Sequence, residues 1–156
     1  MKLSFVIPAH NEKENIGQCL LSIMRELEGD SYNVEIIVVD NASTDSTGEI
    51  ARRYPGVVVV DEQKKGLVVA RQAGFERATG DLVANIDADT MLTPGWIEKV
   101  LREFEEDPNL VCLSGPLMYY DLSIWKRTLV KLFYGLAFGI YLINRFALRL
   151  SSMAQG

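Results

Sequence analysis

Histidine is nearly absent from this chain. His10 is the only one in 156 residues, which excludes a histidine-based metal cluster. Cysteine is scarce as well. Cys19 lies among Leu20, Leu21 and Ile23, and Cys112 follows Val111, so both read as small buried apolar residues rather than a disulfide pair. That usage fits a reducing compartment. No secretory signal is visible, because Met1-Lys2 leads straight into a strand-like run that breaks at Pro8. Glycine is missing where nucleotide sites most often use it. The first strand-like run is followed by AHNEKEN, which excludes a Gly-rich dinucleotide turn, and neither G-x-x-x-x-G-K-[ST] nor G-x-S-x-G occurs.

Acidic residues are absent from Leu122 onward, whereas Lys126, Arg127, Lys131, Arg145 and Arg149 lie there, so that tail is +5. Residues 1–121 hold 11 basic and 21 acidic side chains, a net −10. An acidic body with a basic, apolar tail points to a tail that meets an anionic surface. Nothing calls for a nucleic-acid partner. With 48% hydrophobic residues and this length, the chain is globular and long enough for a sizeable core. We divide it into a body, 1–121, and a helical tail, 122–156.

Short runs rich in Val and Ile recur through the body: Leu3–Pro8, Val34–Asp40, Val57–Asp61, Asp81–Asp87 and Leu110–Ser114. Such runs read as strands covered on both faces. Helical patterns separate them. Asn11-Glu12-Lys13-Glu14 opens one running to Glu28, with Ile16, Cys19, Leu20, Ile23 and Leu27 on one face. Ser46 and Glu49 have capping-box spacing. Gly66–Thr79 forms a third helix, with Gly80 as its stop. Thr93 caps a fourth, with Pro94 at its first position, ending at Glu106. This alternation predicts an α/β fold with a mostly parallel, doubly wound sheet. Such sheets bind ligands beyond the carboxyl ends of their strands.

Polar residues cluster at those ends: Pro8-Ala9-His10-Asn11-Glu12, Asp40-Asn41-Ala42-Ser43, and Asp87-Ala88-Asp89. Asp87 and Asp89 stand at i and i+2, which on an extended chain puts both carboxylates on one side. A hard cation such as Mg²⁺ or Mn²⁺, shared with phosphate oxygens, would relieve their repulsion. Plainer roles exist for several of these residues: helix caps or Asx turns for Asp40 and Asp45, a free loop position for His10, and a solvated surface charge for Arg71.

Four segments, taken in order, resemble one family: VIPAHNEKENI at 6–16, VVDNASTDST at 38–47, KGLVVARQAG at 65–74 and NIDADT at 85–90. Together they are similar to the inverting glycosyltransferases of family two, which have the GT-A fold and use nucleotide-diphosphate sugars. The opening motif looks like the dolichyl- and polyprenyl-phosphate sugar transferases. The resemblance implies that Pro8, Ala9, His10 and Glu12 pack on the base and ribose of a UDP- or GDP-sugar. It implies that Asp40, with Ser43 nearby, reads the nucleoside, and that Gly66 and Arg71 belong to a segment closing over the nucleotide. It further implies that Asp87, Ala88 and Asp89 form a D-x-D motif, with Asp87 and Asp89 holding Mg²⁺ or Mn²⁺ and through it the diphosphate.

The chain departs from the family after Gly115. No segment matches the family's catalytic base, no Q-x-x-R-W occurs, and the catalytic residues are therefore unknown. The chain reads as a donor-binding half. The alternatives are a nucleotide-sugar-binding or assembly module without turnover and, more weakly, a nucleotidyltransferase. From Ile124 to Leu150 the tail looks helical and apolar. Its longest uncharged run, Leu132–Asn144, is shorter than the ~20 residues of an ordinary spanning helix. At ~100° per residue, Arg127, Lys131, Arg145 and Arg149 share one narrow sector. That pattern suits peripheral membrane contact or self-association through 122–150, and a spanning helix with a snorkelling Lys131 is a third option. The expected location is cytoplasmic, at the inner face of a membrane.

Overall fold

The structure, a computed structural model, describes residues 1–29, 31–115 and 123–143. It divides into two compact units, Met1–Leu110 and Val111–Gly156. In the first unit the order is β1 (Leu3–Ala9), α1 (Ile16–Leu27), β2 (Val34–Asn41), α2 (Thr47–Ala51), β3 (Val57–Glu62), α3 (Leu67–Arg77), β4 (Leu82–Asn85) and α4 (Trp96–Glu106). The four strands are all parallel, in the order β3-β2-β1-β4. The chain builds outward from β1 through β2 to β3, then returns to place β4 on the far side of β1. The order therefore reverses at β1 and β4, and the crevice beyond their carboxyl ends is where such sheets take ligands.

β1 is buried along its whole length, and the alternation of its side chains feeds two cores. Leu3, Phe5, Ile7 and Ala9 pack on one face with Ile16, Cys19, Leu20 and Ile23 of α1 and Ile97 of α4, and Val6 packs on the other with Ile37, Val39 and Ala70. The i, i+3, i+4, i+7 spacing of the α1 residues is the apolar stripe a helix needs on a sheet. Each fully buried Leu or Ile contributes about 1.5–3 kcal/mol. On the second face α3 comes in very close, because a Cβ on Gly74 would overlap Val6 Cγ1 and press on Val39 Cγ2 at 3.1 Å.

Pro8 sits inside a central strand at no loss of a ladder bond. Lys2 O and Val6 O accept from Leu82 N–H and Ile86 N–H, so the even positions of β1 face β4. Pairing with β4 stops at Val6↔Asn85, before Pro8.

Several expected boundaries move. No strand forms at Leu110–Ser114, where the backbone is irregular, so that apolar run has no ladder among the described residues. Cys112, expected to be buried, is exposed, whereas Cys19 is buried. The first helix begins at Ile16 rather than Asn11, because Asn11 adopts φ +57° and is bonded elsewhere. Ser46 makes no side-chain cap; Asp45 Oδ1 takes the Thr47 N–H instead, at 3.0 Å. The third helix ends at Arg77, and Gly80 serves a close approach, since a Cβ there would overlap Ser4 Oγ. The fourth helix starts at Trp96 behind Gly95 at φ +77°, so Pro94 is outside it.

In the second unit, α5 spans Ile124–Leu142. The expected continuation to Leu150 lies outside the described residues. Among the described residues no helix is long and apolar enough to cross a membrane.

Candidate functional site

The loops after β1 and β2 are laced together. His10 Nδ1 lies 2.8 Å from Asn41 O. A carbonyl can only accept, so Nδ1 carries the hydrogen. Asn11 N–H donates to Ser43 Oγ at 3.1 Å, and Asn11 Oδ1 accepts from Thr44 N–H at 2.8 Å. Glu12 N–H donates to Thr47 Oγ1 at 2.8 Å, and Lys13 N–H to Asp45 Oδ2 at 3.3 Å. Asn11 at φ +57° and Ala42 at φ +51° hold left-handed conformations where the loops meet. For alanine that conformation costs about 1 kcal/mol. Asp45 is thus an Asx-turn residue. Burial would raise its carboxyl, but bonds from the Thr47 hydroxyl and N–H and from Lys13 N–H, with the Lys13 charge, bring it below the ordinary range.

Ala9 is paired with Asp40 in register, so the end of β2 lies beside the end of β1. The Asp40 carboxylate accepts from Ser43 N–H at 3.3 Å. It has space on the α2 side only because residue 48 is glycine, whose Cβ would overlap Asp40 Oδ2. The Glu12 side chain turns back to accept from Asn15 Nδ2 at 2.8 Å.

Asn41, which the sequence marked only as a neighbour of Asp40, is the junction of the rim. It is buried, with 4% exposure. Its amide donates to Lys64 O at 2.7 Å and Glu62 O at 3.3 Å, while Oδ1 accepts from Gly66 N–H at 2.8 Å. Gly66 opens α3 at φ +141°, a conformation that favours glycine. One residue therefore ties the His10 loop, through its carbonyl, to the segment carrying Gly66 and Arg71, through its side chain.

Asp87 and Asp89 lie past the end of β4, in a turn closed by Thr90 N–H to Asp87 O at 2.9 Å. The expected strand stops at Asn85. Burial still alternates: Ile86 and Ala88 are buried and Asp87 and Asp89 exposed. Ala88, at 3% exposure, is the peg that fixes the turn into the core. Arg71 Nη2 lies 3.0 Å from Asp87 Oδ1. Asp89 has no hydrogen bond or ion pair among the described residues.

One face of α1 holds this turn and the chain after it. Cys19 Sγ lies 3.9 Å from Asp87 O. Ser22 Oγ donates to Cys19 O at 2.7 Å and accepts from Leu92 N–H at 2.9 Å. Glu26 accepts from Gly95 N–H at 3.0 Å and Ile97 N–H at 3.3 Å, satisfying the open start of α4. Burial, with the charges of Asp89 and then Asp87 added, pushes the Cys19 thiol up to about 12.

The class defined by this geometry is a parallel α/β fold, with polar loops at a topological switch point and a carboxylate pair on the rim. The chain belongs to glycosyl transferase family 2, whose model matches residues 4–151. It is similar to the dolichol-phosphate mannosyltransferase of Pyrococcus furiosus, with 36% identity over 70% of this chain and 32% of that protein. Among solved structures it resembles TarS 1–349 of S. aureus, with a TM-score of 0.64 at 20% identity over 78% of this chain and 40% of that one. It also resembles the mannosyltransferase PcManGT of Pyrobaculum calidifontis in complex with GDP-Man and Mn²⁺, with a TM-score of 0.64 at 27% identity, over 74% and 36% of the two chains. The chain spans about a third of the length of the curated relatives it matches.

Proposed function

We propose that this chain is the donor-binding part of an inverting glycosyltransferase that moves a sugar from a UDP- or GDP-sugar to an acceptor such as a lipid phosphate or a growing glycan. The observation that carries the reading is the exposed Asp87–Asp89 pair beside a laced polar rim at the switch point of the sheet. The mannosyltransferase of P. calidifontis, with GDP-Man and Mn²⁺, supports the choice of ligand.

In this reading Pro8, Ala9, His10 and Glu12 pack on base and ribose, and Asp40 accepts from the nucleoside, with Ser43 holding the Asn11 loop. Gly66 and Arg71 bring α3 toward the diphosphate. Asp87 and Asp89 hold Mg²⁺ or Mn²⁺, and Ala88 fixes their spacing. The fit to a cation is good. The donors are two exposed carboxylates, and that of Asp89 has no hydrogen bond or ion pair among the described residues. No group of three or more ligating residues occurs among the described residues, which suits a cation that completes its shell with water and substrate phosphates. When bound, the cation offsets charge on the departing nucleoside diphosphate. The base that deprotonates the acceptor is not identified in residues 1–156.

The tail from Leu122, net +5, is read as a peripheral contact with the inner face of a membrane or as a self-association element.

The test of the donor site is calorimetry with UDP and GDP, with Mn²⁺ or with EDTA. Asp89→Asn should weaken binding in Mn²⁺ by about tenfold or more, the worth of a charge-assisted contact, and leave binding in EDTA unchanged. Asp40→Ala should weaken binding under both conditions. Equal affinities for Asp89→Asn and the parent in Mn²⁺ would remove the metal from the reading.

A further inference from the structure

The two rim carboxylates are not equivalent. Asp87 is already paired, through Arg71 Nη2 at 3.0 Å, whereas Asp89 has no ion pair among the described residues. Arg71 is carried on α3, which is fixed against the sheet where Gly74 meets Val6 and Val39 and tethered at its start by Gly66 N–H to Asn41 Oδ1. The guanidinium therefore stands beside Asp87 by construction of the fold. Yet the pair is open to water, with the two side chains 43% and 58% exposed. Exposed ion pairs shift an equilibrium by no more than about fivefold, so this one is easily given up.

Resting on the donor-site reading, we propose that Arg71 is an exchangeable counterion. Without nucleotide it neutralises Asp87 and disfavours a free divalent cation at the pair. When cation and nucleoside diphosphate arrive together, Arg71 leaves Asp87 and places its planar fork on the phosphate oxygens. A guanidinium matches that ligand in two parallel charge-assisted bonds. Asp87 is released to the cation in the same step. The site thus takes the metal–nucleotide complex in preference to the bare metal, and Arg71 has opposite effects on the two ligands.

The experiment uses the full chain, with Mn²⁺ alone, UDP or GDP alone in EDTA, and each nucleotide with Mn²⁺. Binding is read by calorimetry and by the electron paramagnetic resonance of free Mn²⁺. Arg71→Gln should bind Mn²⁺ alone about three- to fivefold more tightly, since a repelling charge beside the pair is gone. The same variant should bind UDP or GDP with Mn²⁺ about tenfold or more weakly, the loss expected for charge-assisted bonds. Arg71→Lys keeps the positive charge and should return Mn²⁺ affinity to near the parent value. Unchanged or weaker binding of Mn²⁺ alone by Arg71→Gln overturns the exchange, while loss of Mn²⁺-dependent nucleotide binding in Asp89→Asn still upholds the donor site. A parent chain that binds neither nucleotide with Mn²⁺ overturns both.

Discussion

Acid should weaken this fold through Glu35, a residue at the opposite end of the sheet from the rim. Glu35 pairs in register with Ser4, and its carboxylate gathers the edge of three segments. It accepts from Ser4 Oγ at 2.6 Å, Thr79 N–H at 2.6 Å and Thr79 Oγ1 at 2.9 Å, and pairs with Lys2 Nζ at 3.2 Å. Burial would raise its pKa, but the bonds from Ser4, Thr79 and Lys2 outweigh that and bring it from 4.5 down to about 2. The folded chain therefore holds this proton less tightly than the unfolded chain. The resulting stability is complete above pH 4.5 and is lost as pH falls toward 2. At about 1.4 kcal/mol per pH unit, the bound is about 3 kcal/mol. With a side chain 18% exposed, solvent screening reduces this to about 1–2 kcal/mol. At about 2–4 °C per kcal/mol for a chain of this size, Glu35→Gln should lower Tm by about 2–8 °C at pH 7. The gap should narrow between pH 4.5 and 2.5, because the parent loses what the variant never had. Other carboxylates, Asp45 included, titrate in both proteins, so the difference between the two curves isolates Glu35. A gap that stays constant from pH 7 to pH 2.5 in thermal melts would refute the network as the cause.

Ser22→Ala removes the acceptor for Leu92 N–H in a part-buried setting, which costs about 1–3 kcal/mol. Because that bond holds the chain beyond Asp89, the gain in UDP or GDP affinity on adding Mn²⁺ should shrink several-fold, while affinity in EDTA is unchanged; equal losses in both conditions would make Ser22 merely structural. A chain ending at Asp121 should keep nucleotide binding and lose co-sedimentation with anionic liposomes, at about 1 kcal/mol per surface Lys or Arg. A full chain that is monomeric and ignores both anionic and neutral vesicles would remove both roles given to the tail.

The strands of the sheet were legible because their Val- and Ile-rich runs have no other stable home in a globular chain. The run at Leu110–Ser114 is also short and apolar, with one Val and no Ile, yet apolar character does not supply a neighbouring strand, and none pairs with it among the described residues. The start of α1 was misjudged for a non-local reason. Asn11 through Glu14 look like a helix opening locally, but Asn11 and Lys13 bond to residues 32 or 33 positions away. A cap recognised from its own few residues cannot show such a competing partner.

The same distance explains which site residues stood out. Asp87 and Asp89 were legible because two like charges so close together require a cause that sequence itself exposes. Asn41, Ser22 and Glu26 were not, since each looks like an ordinary polar residue of a strand end or helix face. Their importance lies in partners far along the chain: 25 residues on for Asn41 with Gly66, and about 70 for Ser22 and Glu26. Residue type thus marks the groups suited to touch a ligand, while the groups that aim them are set by topology. The parallel order β3-β2-β1-β4 brings α1 beneath the turn after β4 and α3 beside it. Asp87 shows the consequence: its charge was readable from six letters, but its partner Arg71, 16 residues earlier on α3, could be found only once the sheet had placed them side by side.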